Sequence, residues 1–171
     1  MRNVQNQHAK KFTQLLLAGL GYMLMGNLLA TVMTISLAAF GGSAVIMGLA
    51  TLFAMAIYLM LAGVPAYKDG LYKSTKQSQD NHDRGKYRWL AVGVIGWGIM
   101  LVPSVVFLLG GLGEGMYRLI CGAVYPLSLF LVEDVDGVRS MLPWVPYVFI
   151  GFYALTVPAC YVGYALGNRQ K

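Results

Sequence analysis

Residues 12–67 read FTQLLLAGLGYMLMGNLLATVMTISLAAFGGSAVIMGLATLFAMAIYLMLAGVPAY and contain no Asp, Glu, Lys, Arg or His. This run is 56 residues long, whereas a helix crosses the hydrocarbon core of a bilayer with about 20 apolar residues. The run is therefore long enough for two crossings. We expect the turn between them at the paired glycines 41 and 42, because glycine accepts backbone angles that a helix interior excludes. The first two spans are predicted at residues 12–38 and 43–66, and Pro65 is expected to end the second.

Two further charge-free runs, residues 89–113 and 140–168, predict a third span at 89–109 and a fourth at 144–166. Only 12% of the 171 residues are charged, about half the fraction of a soluble domain. A cleaved signal peptide is disfavoured at the N-terminus, because the first apolar stretch is much longer than the 7–15 residues of a signal core.

The segment between spans three and four is the least ordinary part of the chain. Residues 119–132 are uncharged, but they are only 14 in number and Pro126 interrupts them. Apolar stretches of this length are more often re-entrant or interfacial than spanning. The predicted fold is therefore an all-α membrane protein, a bundle of four transmembrane helices with an additional re-entrant or interfacial helix in the outer segment, residues 110–143. A fifth span is the less favoured alternative.

The distribution of basic residues predicts the orientation. With four spans, eleven of the thirteen Lys and Arg residues fall on the side of the two termini and the loop 67–88. The positive-inside rule then predicts that both termini and this loop lie in the cytoplasm. The expected location is the plasma membrane. A fifth span would weaken the split to ten against three. Tyr87 and Trp89 are expected at the inner headgroup level, as amphipathic aromatic residues prefer.

The net charge of +6 is explained by this topology and by attraction to anionic lipid headgroups. Membrane lipids are therefore the expected partners, and nucleic acid is not.

Asn27, Thr31 and Thr34 form the most polar stripe within a predicted span. Their spacing places them on one helical face, where they could line a solute path or form a polar contact between helices. We favour the polar contact, because membrane helices commonly use such groups in packing.

Two other sets of residues are candidates for function or packing. Glu114 and Arg118 are four residues apart, so on a helix they can pair, either as an interfacial ion pair or as an outer gate. Small residues form predicted packing ridges on span one and span four, with the members Gly26, Ala30, Gly163 and Gly167.

No catalytic, metal or cofactor site is expected from the sequence. No set of His, Cys, Asp and Glu has metal-ligand spacing, and the chain is not expected to be an enzyme. The two cysteines, Cys121 and Cys160, are predicted in different halves of the membrane, so an impermeant maleimide should label the first and not the second.

The favoured function is an accessory or assembly subunit of a larger membrane complex, or a self-associating protein. The alternative is a permease or channel for a small, weakly polar solute. Ion-coupled transport is disfavoured, because it usually needs carboxylates within the membrane and the predicted spans contain none.

Overall fold

The fold was analysed in a computed structural model, which describes residues 2–39, 44–76, 82–124, 132–135 and 138–169. Four segments of this part of the chain are long and apolar enough to cross a membrane: Lys11–Ser36, Gly48–Tyr72, Gly85–Leu108 and Val145–Arg169. The predicted bundle of four transmembrane helices is confirmed, together with an extra helix between spans three and four. The elements in chain order are α1 (Arg2–Ala39), α2 (Ala44–Lys76), α3 (His82–Leu108), α4 (Glu114–Ile120), a 3-10 turn (Gly122–Val124), β1 (Val132–Val135), β2 (Val138–Met141), α5 (Val145–Ala154) and α6 (Thr156–Arg169).

Helix α2 does not end at Pro65, which corrects the sequence prediction. It continues to Lys76, and α3 begins at His82, so most of the predicted loop 67–88 is helical. A proline inside a helix removes one backbone hydrogen bond. Here Pro65 is buried within the bundle, and packing against neighbouring helices lets a membrane helix tolerate that loss.

The bundle core combines a ridge of small residues with large aromatic side chains. Helix α2 packs between α1 and α6, and α3 packs along α5 and α6. On α2 a buried residue recurs every four positions, at Ala54, Tyr58, Ala62 and Ala66, which brings them onto one face. The outward faces carry exposed Leu, Val, Ile and Met, as expected of helices that contact lipid tails.

The fourth span is broken into α5 and α6 at Leu155. Pro158 lies four residues after Ala154, and a proline ring clashes with the carbonyl at that distance. The break therefore falls where Pro158 requires it. Thr156, the first residue of α6, is fully buried.

The two ends of the bundle differ. We call the end where residues 77–81 join α2 to α3 the loop end, and the end that carries β1 and β2 the hairpin end. At the loop end, Trp89 Nε1 donates a hydrogen bond to Asp69 Oδ2 at 2.9 Å. Trp89 is buried and joins α3 to α2, so its ring faces the bundle; its level in the membrane stays a prediction.

A small hairpin was missed in the sequence. Strands β1 and β2 are antiparallel, with Val132 opposite Met141 and Val135 opposite Val138. The dipeptide Asp136-Gly137 between them is a strong hairpin signal. Asp136, Gly137, Pro126 and the predicted turn at glycines 41 and 42 lie outside the described residues.

Candidate functional site

Asn27 of α1 is the centre of a buried polar cluster in the half of the bundle nearer the hairpin end. Its side-chain Nδ2 donates to the backbone carbonyl of Ile120. Its Oδ1 accepts two hydrogen bonds, from the backbone N–H of Ala123 at 3.0 Å and from the Tyr153 hydroxyl at 2.9 Å. One amide side chain, 8% exposed, thus joins α1 to α4, to the 3-10 turn and to α5. Buried polar groups need such partners, and both ends of this amide have them.

The two threonines of the stripe make different contacts. The Thr31 hydroxyl donates to the Asn27 carbonyl at 2.9 Å and lies 3.5 Å from the Leu119 carbonyl. The Thr34 hydroxyl donates within α1, to the Ala30 carbonyl at 2.8 Å. Asn27 and Thr31 therefore face α4 and the 3-10 turn, whereas the hydroxyl of Thr34 serves its own helix.

Gly122 packs directly on this stripe. A Cβ atom at this position would overlap Thr31 Oγ1 and would lie 2.7 Å from the Asn27 carbonyl oxygen. Gly122, Ala123 and Val124 are all buried, and their turn contacts both α1 and α2. Only a residue without a side chain permits this approach.

We call residues 114–124 the re-entrant segment. Nine residues separate Asn27 from Ser36, the end of span one, which corresponds to about 14 Å along a helix. We call residues 120–124, which contact Asn27, the tip of this segment. The tip therefore lies well below the end of span one and not at the level of the hairpin end. Within it, Glu114 and Arg118 form an ion pair between partly buried side chains.

Tyr117 provides a second attachment of the re-entrant segment. Its ring is stacked between Phe107 and Phe149, with centroid distances of 4.4 and 5.6 Å. Its hydroxyl is 2.9 Å from Ser104 Oγ. These contacts fasten α4 to α3 and α5.

Neutral hydroxyl and thiol groups continue from this cluster into the bundle. Cys121 lies within hydrogen-bonding reach of Tyr117 and Tyr153, and burial raises the pKa of the Cys121 thiol to about 12. The ring of Tyr153 packs edge-on against Tyr58 at 5.2 Å, and the Tyr58 hydroxyl is 3.1 Å from Thr156 Oγ1. This row of thiol and hydroxyl groups can bind neutral polar groups, but none of its members carries a charge that would stabilise an ion.

The predicted packing ridges lie at contacts within the chain. A Cβ on Gly26 would be 3.3 Å from the Tyr58 Cα atom, and Ala30 beside it is fully buried. Gly163 packs against the backbone of Gly63, and Gly167 against the Tyr67 carbonyl. These glycines let α1 approach α2, and α6 approach α2.

Both cysteines are free and buried. Cys121, which the sequence places near an accessible surface, is only 1% exposed. Labelling of Cys121 therefore requires movement of the re-entrant segment. In the part of the chain that the structure describes, no group of three His, Cys, Asp or Glu residues could hold a metal ion.

Sequence reasoning singled out Asn27 and Thr31 but missed their neighbours Tyr153 and Gly122 and the separate attachment through Tyr117. One signal was available, because a tyrosine within a membrane span needs a partner for its hydroxyl. The other contacts of Asn27 are backbone groups, and these carry no side-chain signal.

The fold and the cluster define a four-span membrane protein with a re-entrant segment seated on its first helix. Comparison with family models, curated proteins and solved structures finds no match to this chain.

Proposed function

We propose that this chain is an accessory or assembly subunit of a membrane complex, held to another subunit or to a second copy by its outward helix faces. The observation that carries the proposal is a set of glycines against which nothing packs in the part of the chain that the structure describes. Each candidate span has one glycine whose Cβ position has open space: Gly21, Gly48, Gly98 and Gly151.

These glycines contrast with those that face the core. Gly63, Gly93 and Gly163 each lie against backbone atoms of a neighbouring helix, so their lack of a side chain is used within the chain. A glycine in a helix costs about 1 kcal/mol relative to alanine, and small residues in membranes concentrate where helices touch. Glycines on outward faces therefore favour contact with a helix from another chain.

The interior of the bundle supports the same proposal. The polar groups of Asn27 are bonded within the chain, so in this conformation the stripe acts as a packing contact. We place the protein in the plasma membrane with both termini in the cytoplasm, on the strength of the basic-residue asymmetry.

A permease or channel for a small neutral solute is the second candidate. The observation in its favour is the interior line of Tyr153, Tyr58 and Thr156, which continues from Cys121 of the re-entrant segment into the bundle. Hydroxyl and amide groups could replace the water around an uncharged polar solute.

The test is purification from the native membrane in a mild detergent, followed by mass measurement. We expect a complex heavier than the 18.6 kDa chain. Gly151→Leu or Gly98→Leu should reduce that mass to the single chain while its unfolding in detergent is unchanged. Gly115→Leu is the control, because its Cβ also meets open space but the residue lies outside the spans.

A single chain from native membranes, combined with solute flux in reconstituted vesicles, would overturn the accessory role and favour the second candidate.

A further inference from the structure

We propose that the re-entrant segment is a detachable plug, whose tip leaves the bundle toward the hairpin end and uncovers a polar seat formed by Asn27, Thr31 and Tyr153. The inference does not rest on the accessory role, because the movement can be measured on the isolated chain. It follows from the hinge, the open side, the attachments and the chemistry of the seat.

The hinge is a turn rich in glycine between α3 and α4. Gly110 has a φ of +74°, a conformation that glycine adopts without steric cost, and its N–H bonds to the Phe107 carbonyl. Gly113 precedes α4 in an extended conformation, and no side chain caps the helix. The chain can therefore change direction here without breaking a helix cap.

One side of the re-entrant segment is open. Met116, Leu119 and Ile120 are exposed, Met116 by 57%. In the described part of the chain, nothing packs over this side. Outward movement of the tip therefore meets no steric barrier from those residues.

The two attachments of the segment lie at different places. Tyr117, stacked between Phe107 and Phe149, is near the hinge. The tip is held further along, by the bonds of Asn27 to Ile120 and Ala123. Because the tip is further from the hinge than Tyr117, rotation about the hinge displaces the tip more, and the bonds to Asn27 break before the ring of Tyr117 unstacks.

The seat is made of groups that water can satisfy. When the tip leaves, water can replace its backbone groups as hydrogen-bond partners of the Asn27 amide and the Thr31 hydroxyl. The Tyr153 hydroxyl can bond to water in the same way. If the seat were apolar, opening would expose apolar surface to water, which is unfavourable. A polar seat thus favours reversible binding of the tip.

Cys121 reports this movement, because it lies in the segment and is buried only while the tip is seated. The experiment uses the full chain in lipid nanodiscs, where both membrane faces are open to reagent. A Cys160→Ala chain is treated with a charged methanethiosulfonate, and the rate of Cys121 modification is followed by mass spectrometry. A Cys121→Ala chain reports Cys160, buried in α6, and thus the rate of general unfolding.

We expect Cys121 to be modified faster than Cys160. Tyr153→Phe removes the hydroxyl that bonds to Asn27 and lies within hydrogen-bonding reach of Cys121 in the tip. The loss of this contact with the tip should raise the Cys121 rate roughly three- to tenfold, the equivalent of one interhelical hydrogen bond. Tyr58→Phe is the matched control, because its hydroxyl bonds to Thr156 and not to the seat; it should leave the rate unchanged.

Gly122→Ala and Gly115→Ala form a second matched pair within the segment. The first places a Cβ against Thr31 and should raise the Cys121 rate more than tenfold, whereas the second meets open space and should not. Equal modification of Cys121 and Cys160 would overturn the proposal. An equal response to Tyr153→Phe and Tyr58→Phe would also overturn it, even if Gly122→Ala fails to fold.

Discussion

At the scale of single residues, Asn27 links three parts of the bundle that are far apart in the chain. Its partners Ile120, Ala123 and Tyr153 follow it by 93, 96 and 126 residues. In a bilayer an amide without a partner is costly, so these bonds determine where the re-entrant segment rests. Thr31 and Gly122 then shape the surface on which its tip sits.

Asn27→Leu is expected to destabilise the protein by about 2 kcal/mol, because three buried groups lose a partner at roughly 0.6 kcal/mol each. The measurement is reversible unfolding in mixed micelles of increasing SDS fraction. Gln14→Leu is the control, since Gln14 is an exposed polar residue of the same helix. Equal stability of the two variants would show that Asn27 is not a structural contact. Because Asn27→Leu is expected to destabilise the fold, a loss of solute flux in this variant would not by itself demonstrate a transport path.

At the scale of elements, the sequence predicts the spans well and their limits less well. Charge-free runs located all four spans, because charged residues are excluded from lipid independently of tertiary contacts. The continuation of α2 through Pro65 was not predictable, since it depends on packing against neighbouring helices. The hairpin could have been predicted from the dipeptide Asp136-Gly137. The backbone partners of Asn27 could not be predicted, because backbone groups are alike everywhere in the chain.

The close contact between α2 and α6 gives a prediction at this scale. Gly163→Ala would place a Cβ 3.1 Å from the Gly63 Cα atom, so the helices must separate. We expect a loss of about 1–3 kcal/mol in unfolding free energy, typical of overpacking. Gly98→Ala, where the Cβ meets open space, should instead be neutral or stabilise α3 by up to about 1 kcal/mol. Similar losses in both variants would contradict the assigned packing.

At the scale of the whole molecule, the bundle has a neutral, hydrogen-bonded interior and apolar outward faces. Four crossings place both termini on one side of the membrane. The turn before the re-entrant segment and the strands that follow it in the chain both lie at the hairpin end, so in this fold they share one membrane face. This even number of crossings is the central claim, and a fifth span is its main competitor.

The most direct test places single cysteines on either side of the re-entrant region in a Cys121→Ala, Cys160→Ala chain. Gly111→Cys and Pro143→Cys alter exposed positions, and Tyr87→Cys alters an exposed residue near the loop end. With an impermeant maleimide on intact cells, we expect labelling at 111 and 143, and labelling at 87 only after permeabilisation. Labelling of 111 and 143 from opposite sides would contradict the four-span fold.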